Sequence, residues 1–294
     1  MCSIALEKSC RVALNVIGNI AHSTCYLLVW VFKNKFDMIL RRMGNKQKIA
    51  QDIQKYFPEH SIYIEPFFGA GGMFFNKPKA KNNIVNDLDG DVFNLFNVVV
   101  DKKDEFLELL ELIPYSEEVF NYFKENKETE PLKKALRFIY LSNFGFMGAS
   151  SSIKIDTRNH KQNAILNLQK TSDFLKDCSL KITNNDFRKA ISSISLSEEN
   201  NIAKTLFYCD PPYLGTMDNY SNSFTEQDSE DLFNCLEKTK CKFAMSEFNH
   251  PFILEQAKKR NLNVIIIGER RNLKNVKTEI LITNYENAQL QMFS

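Results

Sequence analysis

Short runs rich in β-branched and aromatic residues recur along this chain, each separated from the next by a stretch with helical spacing. That alternation constrains the fold more than any other feature. The runs are Ser61–Pro66, Asn83–Asn86, Leu180–Thr183, Thr205–Cys209, Lys242–Met245, Val264–Ile267 and Glu279–Thr283. Helical periodicity covers Gln47–Phe57, where Ile49, Ile53, Tyr56 and Phe57 recur on one face. A second helix is expected to open at Met73–Asn76. A longer helical pattern runs from Val92 through Phe96, Phe106, Leu109 and Leu112 until Pro114 breaks it. Strands alternating with helices predict an open, mostly parallel α/β sheet covered on both faces. The last two strands are separated only by the polar stretch Glu269–Lys277, which suits an antiparallel hairpin at the end of the sheet.

Length and charge limit what such a sheet can serve. A chain of 294 residues holds one large domain, or one domain carrying an insertion. A formal charge of +2 does not by itself mark a nucleic-acid binder, so local clustering has to carry that point. The clustering is present. Ten acidic and four basic residues lie between Asp101 and Glu130, whereas seven basic residues and Asp156 alone lie between Pro131 and Lys170. Seven cysteines without a CxxC pair, with four scattered histidines, read as reduced thiols in the cytoplasm and predict no metal site. Residues 1–37 differ from the rest. Val12–Phe32 is long enough to span a bilayer but is interrupted by Asn15, Asn19, His22, Ser23 and Thr24. The expectation is an N-terminal extension, with Met38 as a candidate true start; an accessory helix and a membrane segment are the alternatives.

After the first strand comes Glu65-Pro66-Phe67-Phe68-Gly69-Ala70-Gly71-Gly72. Closely spaced glycines at a strand end let a ligand approach the backbone without meeting a Cβ. Asp87 ends the next strand, at the distance where nucleotide-binding α/β folds place an acid against ribose hydroxyls. The glycine spacing is not GxGxxG, which disfavours a nicotinamide cofactor.

The string Asp210-Pro211-Pro212-Tyr213 directly follows the apolar strand Thr205–Cys209. The exocyclic amine of adenine is a poor nucleophile because its lone pair is delocalised into the ring. A carboxylate and a carbonyl that accept both amine hydrogens favour a pyramidal nitrogen and free that pair. Asp210 supplies the carboxylate and Pro211 the carbonyl, since proline has no competing N–H. Tyr213 offers a flat face for an extruded base. With an already activated sulfonium methyl donor, catalysis is mostly positioning and needs no metal.

Together these elements resemble the Dam-type, alpha-class (D12) family of DNA adenine-N6 methyltransferases, over about Met38 to Tyr285. Gly44-Asn45-Lys46 is similar to the family's N-terminal element, Glu65–Phe75 to its cofactor loop, and Asn86-Asp87 to its acidic position. Asn185-Asp186-Phe187 resembles the strand end that meets the cofactor's adenine, Asp210–Thr216 the catalytic loop, and Thr278–Tyr285 the C-terminal segment. The resemblance implies a Rossmann-like seven-stranded sheet spanning residues 38–100 and 178–294, with a small helical target-recognition domain inserted at residues 101–177. It also implies S-adenosylmethionine as methyl donor, held by Lys46, Glu65, Phe67, Gly69, Gly71, Asp87, Asp186 and Phe187. Double-stranded DNA is the implied substrate, with base flipping, in a setting with or without a cognate restriction endonuclease. Lys154 and Arg158, on or beside a Gly/Ser-rich loop, are candidate DNA contacts, as are Arg270 and Arg271 before the last strand. Two departures stand out. Arg42 replaces an aromatic two residues before Gly44, and Ala149–Ile153 lacks an arginine that such recognition loops often carry. The competing expectations are methylation of RNA adenine and a non-catalytic DNA-binding module that keeps the fold.

Overall fold

In the computed structural model the described residues are 37–42, 45–146, 151–196, 199–215, 224–271 and 276–286, with the side chains of Arg270 and Arg271 set aside. The chain divides into Met1–Asp37 and Met38–Ser294, and the second unit is the one described below. The expected N-terminal extension, Gly44 and Thr216 therefore fall outside the described residues.

Seven strands, β1 (Ile62–Glu65), β2 (Asn82–Asn86), β3 (Leu180–Thr183), β4 (Thr205–Cys209), β5 (Lys242–Phe248), β6 (Asn263–Arg271) and β7 (Val276–Thr283), form one sheet in the order β3-β2-β1-β4-β5-β7-β6. All pairs from β3 through β5 are parallel, and β7 runs antiparallel to both β5 and β6. The expected hairpin is present, and its second strand inserts between β5 and β6. The helices are α1 (Ala50–Gln54), α2 (Gly90–Asp101), α3 (Lys103–Leu112), α4 (Glu117–Glu125), α5 (Pro131–Phe144), α6 (His160–Lys176), α7 (Phe187–Ser192), α8 (Glu199–Ala203), α9 (Glu226–Thr239) and α10 (Pro251–Lys259).

The central strands β1 and β4 are buried at every position, as expected for parallel strands covered on both faces. Alternate side chains serve opposite cores. Ile62, Ile64, Phe207, Cys209, Phe243 and Met245 pack with residues of α7, α9 and α10. On the other face Tyr63 and Tyr208 are fully buried, and each hydroxyl has a partner: Tyr63 donates to Glu65 at 2.8 Å, and Tyr208 pairs with Ser246 at 2.9 Å. Truncating a side chain such as Phe207 to alanine would cost about 3–5 kcal/mol, transfer plus cavity.

Capping chemistry sets the helix ends. Thr225 and Asp228 form a reciprocal capping box at the start of α9. Pro131 occupies the first turn of α5, where its missing N–H costs nothing, and the Glu130 carboxylate accepts the amides of Leu132 and Lys133. Among the described residues between 101 and 177 lie α3 to α6, with a non-helical stretch between α5 and α6. Helix α5 packs on α2 and α6 packs on α3, burying Phe106, Leu110, Ile139 and Tyr140. The Tyr140 hydroxyl donates to Pro114 O at 2.7 Å and accepts from Ser116 N at 3.0 Å, which fixes the break that Pro114 introduces.

Three helical stretches differ from expectation, the first being the run from Val92 to Leu112, which is divided at Lys102 (φ −133°, ψ 37°) into α2 and α3. Gln47–Phe57 is not continuous: a 3-10 turn at Lys46–Lys48, capped by the Asn45 side chain, ends at Ile49 before α1 begins. The expected helix after the glycine turn is only a 3-10 turn, Phe74–Asn76. Pro78 is the reason. It pushes the preceding Lys77 into extended backbone (φ −99°, ψ 160°), so the helix cannot propagate.

Strand order reverses between β1 and β4, since β2 and β3 extend the sheet to one side and β5 to the other. Ligands bind such sheets in the crevice at that switch point, beyond the carboxyl ends of the strands. The glycine turn follows β1 and Asp210–Tyr213 follows β4, so the topology brings the two motifs to one crevice.

Candidate active site

A cavity of 540 Å³ opens there, within the range of pockets that hold small-molecule ligands. The glycine turn, Asp87, Asp186, Phe187, Asp210 and Pro212 contribute to its wall. Gly69 has φ +54°, where a side chain is strained, and a Cβ built there would point into open space. Its amide donates to Asp87 Oδ2 at 2.6 Å, while Asp87 Oδ1 accepts from Asp89 N at 2.8 Å. Gly71, at φ +73°, is needed for packing, because a Cβ would lie 2.5 Å from the Phe75 ring. Burial raises the Asp87 carboxyl, and the two amides oppose that rise.

The far wall is aromatic. Phe67 lies 5.4 Å from Phe187 and 6.0 Å from Phe224, and Phe187 and Phe224 are 5.9 Å apart. Such a cluster suits a planar ring. Asp186 caps α7 by accepting from Arg188 N at 2.9 Å, which holds the loop before Phe187. Asn86 joins three segments by donating to Pro66 O at 3.0 Å and to Asn185 O at 2.9 Å. Glu65 is buried, and burial holds its carboxyl well above the usual carboxylate range.

At the end of β4 the charges are tightly coupled. Lys46 Nζ lies 2.9 Å from Asp210 Oδ1 and 3.1 Å from Glu279 Oε1, with the lysine side chain only 5% exposed. The Tyr213 hydroxyl donates to the same Glu279 oxygen at 2.9 Å. The Lys46 ammonium sits 4.4 Å above the Tyr213 ring, which forms a T-shaped pair with Phe248 at 4.6 Å. Burial raises the Asp210 carboxyl and the Lys46 charge works against that rise. Burial also disfavours the Lys46 ammonium, but Asp210 and Glu279 outweigh it and raise its pKa. One step further in, Glu247 accepts from Phe248 N at 2.9 Å through Oε1, and burial pushes its carboxyl up to about 9.

Most of the sequence-predicted site residues thus fall into two groups that meet in one crevice, whereas Gly71, Pro211 and Tyr213 do not line the cavity. Glu65, Phe67, Gly69, Asp87, Asp186 and Phe187 surround the cavity, and Lys46 and Asp210 line its end beside Pro212. Lys46, expected at the cofactor, is ion-paired to Asp210. Glu279, Glu247 and Asn86 were not singled out for roles. Glu279 lies in the C-terminal segment that carried the resemblance, but its partners, Lys46 in a 3-10 turn and Tyr213 in the loop after β4, are far away in the sequence.

The expected DNA contacts are placed unevenly. Lys154 Nζ donates to Asn143 O at 2.7 Å, so its charge is turned toward α5, and burial lowers its pKa. Arg158 is exposed but grips Asp156 at 2.5 and 3.0 Å, which holds the aspartate well below the usual carboxylate range. Arg270 and Arg271 belong to β6, paired with Lys277 and Val276, and their side chains fall outside what is described.

Strand order and crevice define a Rossmann-like sheet with a ligand cavity at its switch point. The chain belongs to the D12 class N6 adenine-specific DNA methyltransferase family, which it matches over residues 43–287. Among its relatives, a DNA adenine methylase from Haemophilus influenzae is 30% identical over 192 residues, covering 62% of this chain and 65% of that protein. A DNA adenine methylase from Escherichia coli (strain K12) is 31% identical over 115 residues, covering 37% of this chain and 41% of that protein. A Type II methyltransferase from Lactococcus lactis subsp. cremoris is 24% identical over 288 residues, covering 87% of this chain and 98% of that protein. The chain therefore spans less than half of the Escherichia coli relative's length and nearly all of the Lactococcus relative's.

Proposed function

We propose that this protein transfers a methyl group from S-adenosylmethionine to N6 of adenine in duplex DNA, with the target base flipped out of the helix. The observation that carries the proposal is the convergence of Asp210 and the Gly69–Asp87 turn on one cavity at the switch point. The cavity fits the cofactor: Gly69 leaves open space where a Cβ would stand, Asp87 presents a carboxylate for ribose hydroxyls, and Phe67 and Phe187 offer an aromatic wall for the adenine. When bound, S-adenosylmethionine supplies a methyl group already activated by its sulfonium.

The protein's own residues supply position and electrostatics. Asp210 and the Pro211 carbonyl accept the two hydrogens of the amine, so its lone pair is free to attack. The nitrogen gains the methyl carbon as that carbon's bond to sulfur breaks, the electron pair staying on the sulfur as a neutral thioether, and it releases one proton past Asp210 toward solvent. Tyr213 holds the extruded ring by its face. Arg158 and the loop around Lys154 meet the phosphates. Because the methyl group arrives activated, no metal is required, and turnover should be unchanged by a chelator.

The same function places the protein in the cytoplasm with the DNA it methylates. Its likeness to a Type II methyltransferase suits a partner restriction endonuclease. Expressing the protein in a host lacking adenine methylation and sequencing the modified bases tests the proposal. N6-methyladenine at a recurrent site supports it; unmodified DNA, or label in RNA alone, contradicts it.

A further inference from the structure

Lys46 occupies two things that the target adenine needs. Its ammonium takes an oxygen of Asp210 at 2.9 Å and stands 4.4 Å over the ring of Tyr213. A flipped adenine, as proposed above, must bring its amine to that carboxylate and lay its ring on that face, so the ammonium has to withdraw. It cannot withdraw to water, because Lys46 is 5% exposed, and a buried charge left without a partner is costly. Among the described residues, the anions within ion-pair distance of Lys46 Nζ are Asp210 and Glu279.

Glu279 is well placed to receive it. Its strand is hydrogen-bonded on both sides, with Phe248 of β5 opposite it on one and Gly268 of β6 on the other, so its backbone is fixed. Its Oε1 already lies 3.1 Å from Lys46 Nζ and accepts the Tyr213 hydroxyl. A short swing of the ammonium toward Glu279 releases Asp210 while the hydroxyl contact keeps the Tyr213 ring in place. We infer that Glu279 is a positioning residue, the second anchor onto which Lys46 withdraws as the adenine takes Asp210 and the face of Tyr213. The inference rests on adenine being the target base.

Glu279→Gln keeps an acceptor for Tyr213 and removes the anion. Three quantities are measured on the full chain: cofactor affinity by calorimetry, fluorescence of a duplex carrying 2-aminopurine at the target position, and turnover with tritiated cofactor. The expected result is cofactor affinity within twofold of wild type, with the flipping signal and turnover down tenfold or more. In a Lys46→Met background the same substitution should change the flipping signal less than twofold, because its effect passes through Lys46. Glu279→Asp keeps the charge and should recover most of the flipping signal. Wild-type flipping in Glu279→Gln, an equal loss in the Lys46→Met background, a parallel fall in cofactor affinity, or a Glu279→Asp variant as impaired as Glu279→Gln would each overturn the inference alone. A wild-type enzyme that neither labels nor flips adenine overturns the proposed function and the inference with it.

Discussion

The amide of Gly69 donates to Asp87 Oδ2 at 2.6 Å, joining the turn after β1 to the end of β2. The contact fixes both the left-handed backbone at Gly69 and the orientation of the acid. Asp87→Asn would turn an NH2 group toward one of the two amide donors that now share the carboxylate. Its cofactor affinity should fall tenfold or more, about 1.4 kcal/mol, in calorimetry. Gly69→Ala should lose affinity similarly and cost about 1–2 kcal/mol of stability, because alanine is strained at φ +54°. Unchanged cofactor binding in both variants would place the cofactor elsewhere.

Glu247 gives a pH signature in stability. Its carboxyl is raised from 4.5 to about 9, so the folded state keeps a proton that the unfolded state releases. Its contribution is fully present below about pH 4.5 and is lost progressively as pH rises toward 9, by at most about 1.4 kcal/mol per pH unit. Glu247→Gln should remove this slope and be more stable than wild type at pH 8 in urea unfolding. Parallel stability profiles for the two proteins from pH 6 to 8 would show that Glu247 is ionised when folded.

The ion pair of Arg158 with Asp156 tempers the basic loop. Arg158→Ala should weaken duplex binding and lower the salt slope by about one, leaving cofactor binding intact. Asp156→Ala frees the guanidinium and should tighten binding at low salt. Lys154→Ala should weaken binding through the loop that its contact with Asn143 O braces. DNA affinity indifferent to all three would reduce this loop to a solvated face.

Much of this was legible in the sequence because the central strands β1 and β4 are short, apolar runs buried on both faces, where composition and position agree. The glycine turn, Asp87 and Asp210 were legible because their chemistry sits at strand ends. What escaped depends on partners far apart in the chain. Nothing near Lys46 shows that it pairs with Asp210 and Glu279 rather than a ligand, and charge counts cannot show that Lys154 turns toward Asn143. The missing helix after the glycine turn was in principle readable, since Pro78 forbids it.

Tyr213 separates two roles. From the sequence, Tyr213→Phe keeps the stacking face and most activity, whereas Tyr213→Ala loses both. The hydroxyl's contact with Glu279 adds a cost, so Tyr213→Phe should retain flipping but turn over several-fold more slowly than wild type. A phenylalanine variant as inactive as the alanine variant would mean that the hydroxyl, and not the ring face, is what the site needs.

The most direct test of the account is Asp210→Ala, assayed with tritiated S-adenosylmethionine on adenine-containing duplex DNA alongside cofactor calorimetry. The carboxylate's interaction with the amine strengthens as the nitrogen becomes nucleophilic, so its loss falls on turnover rather than affinity. Oxyanion-type electrostatic groups of this kind are worth on the order of 10²–10³ in rate. The account predicts methyl transfer reduced by at least that factor, with cofactor affinity within a few-fold of wild type. An Asp210→Ala enzyme that methylates adenine at the wild-type rate would contradict it.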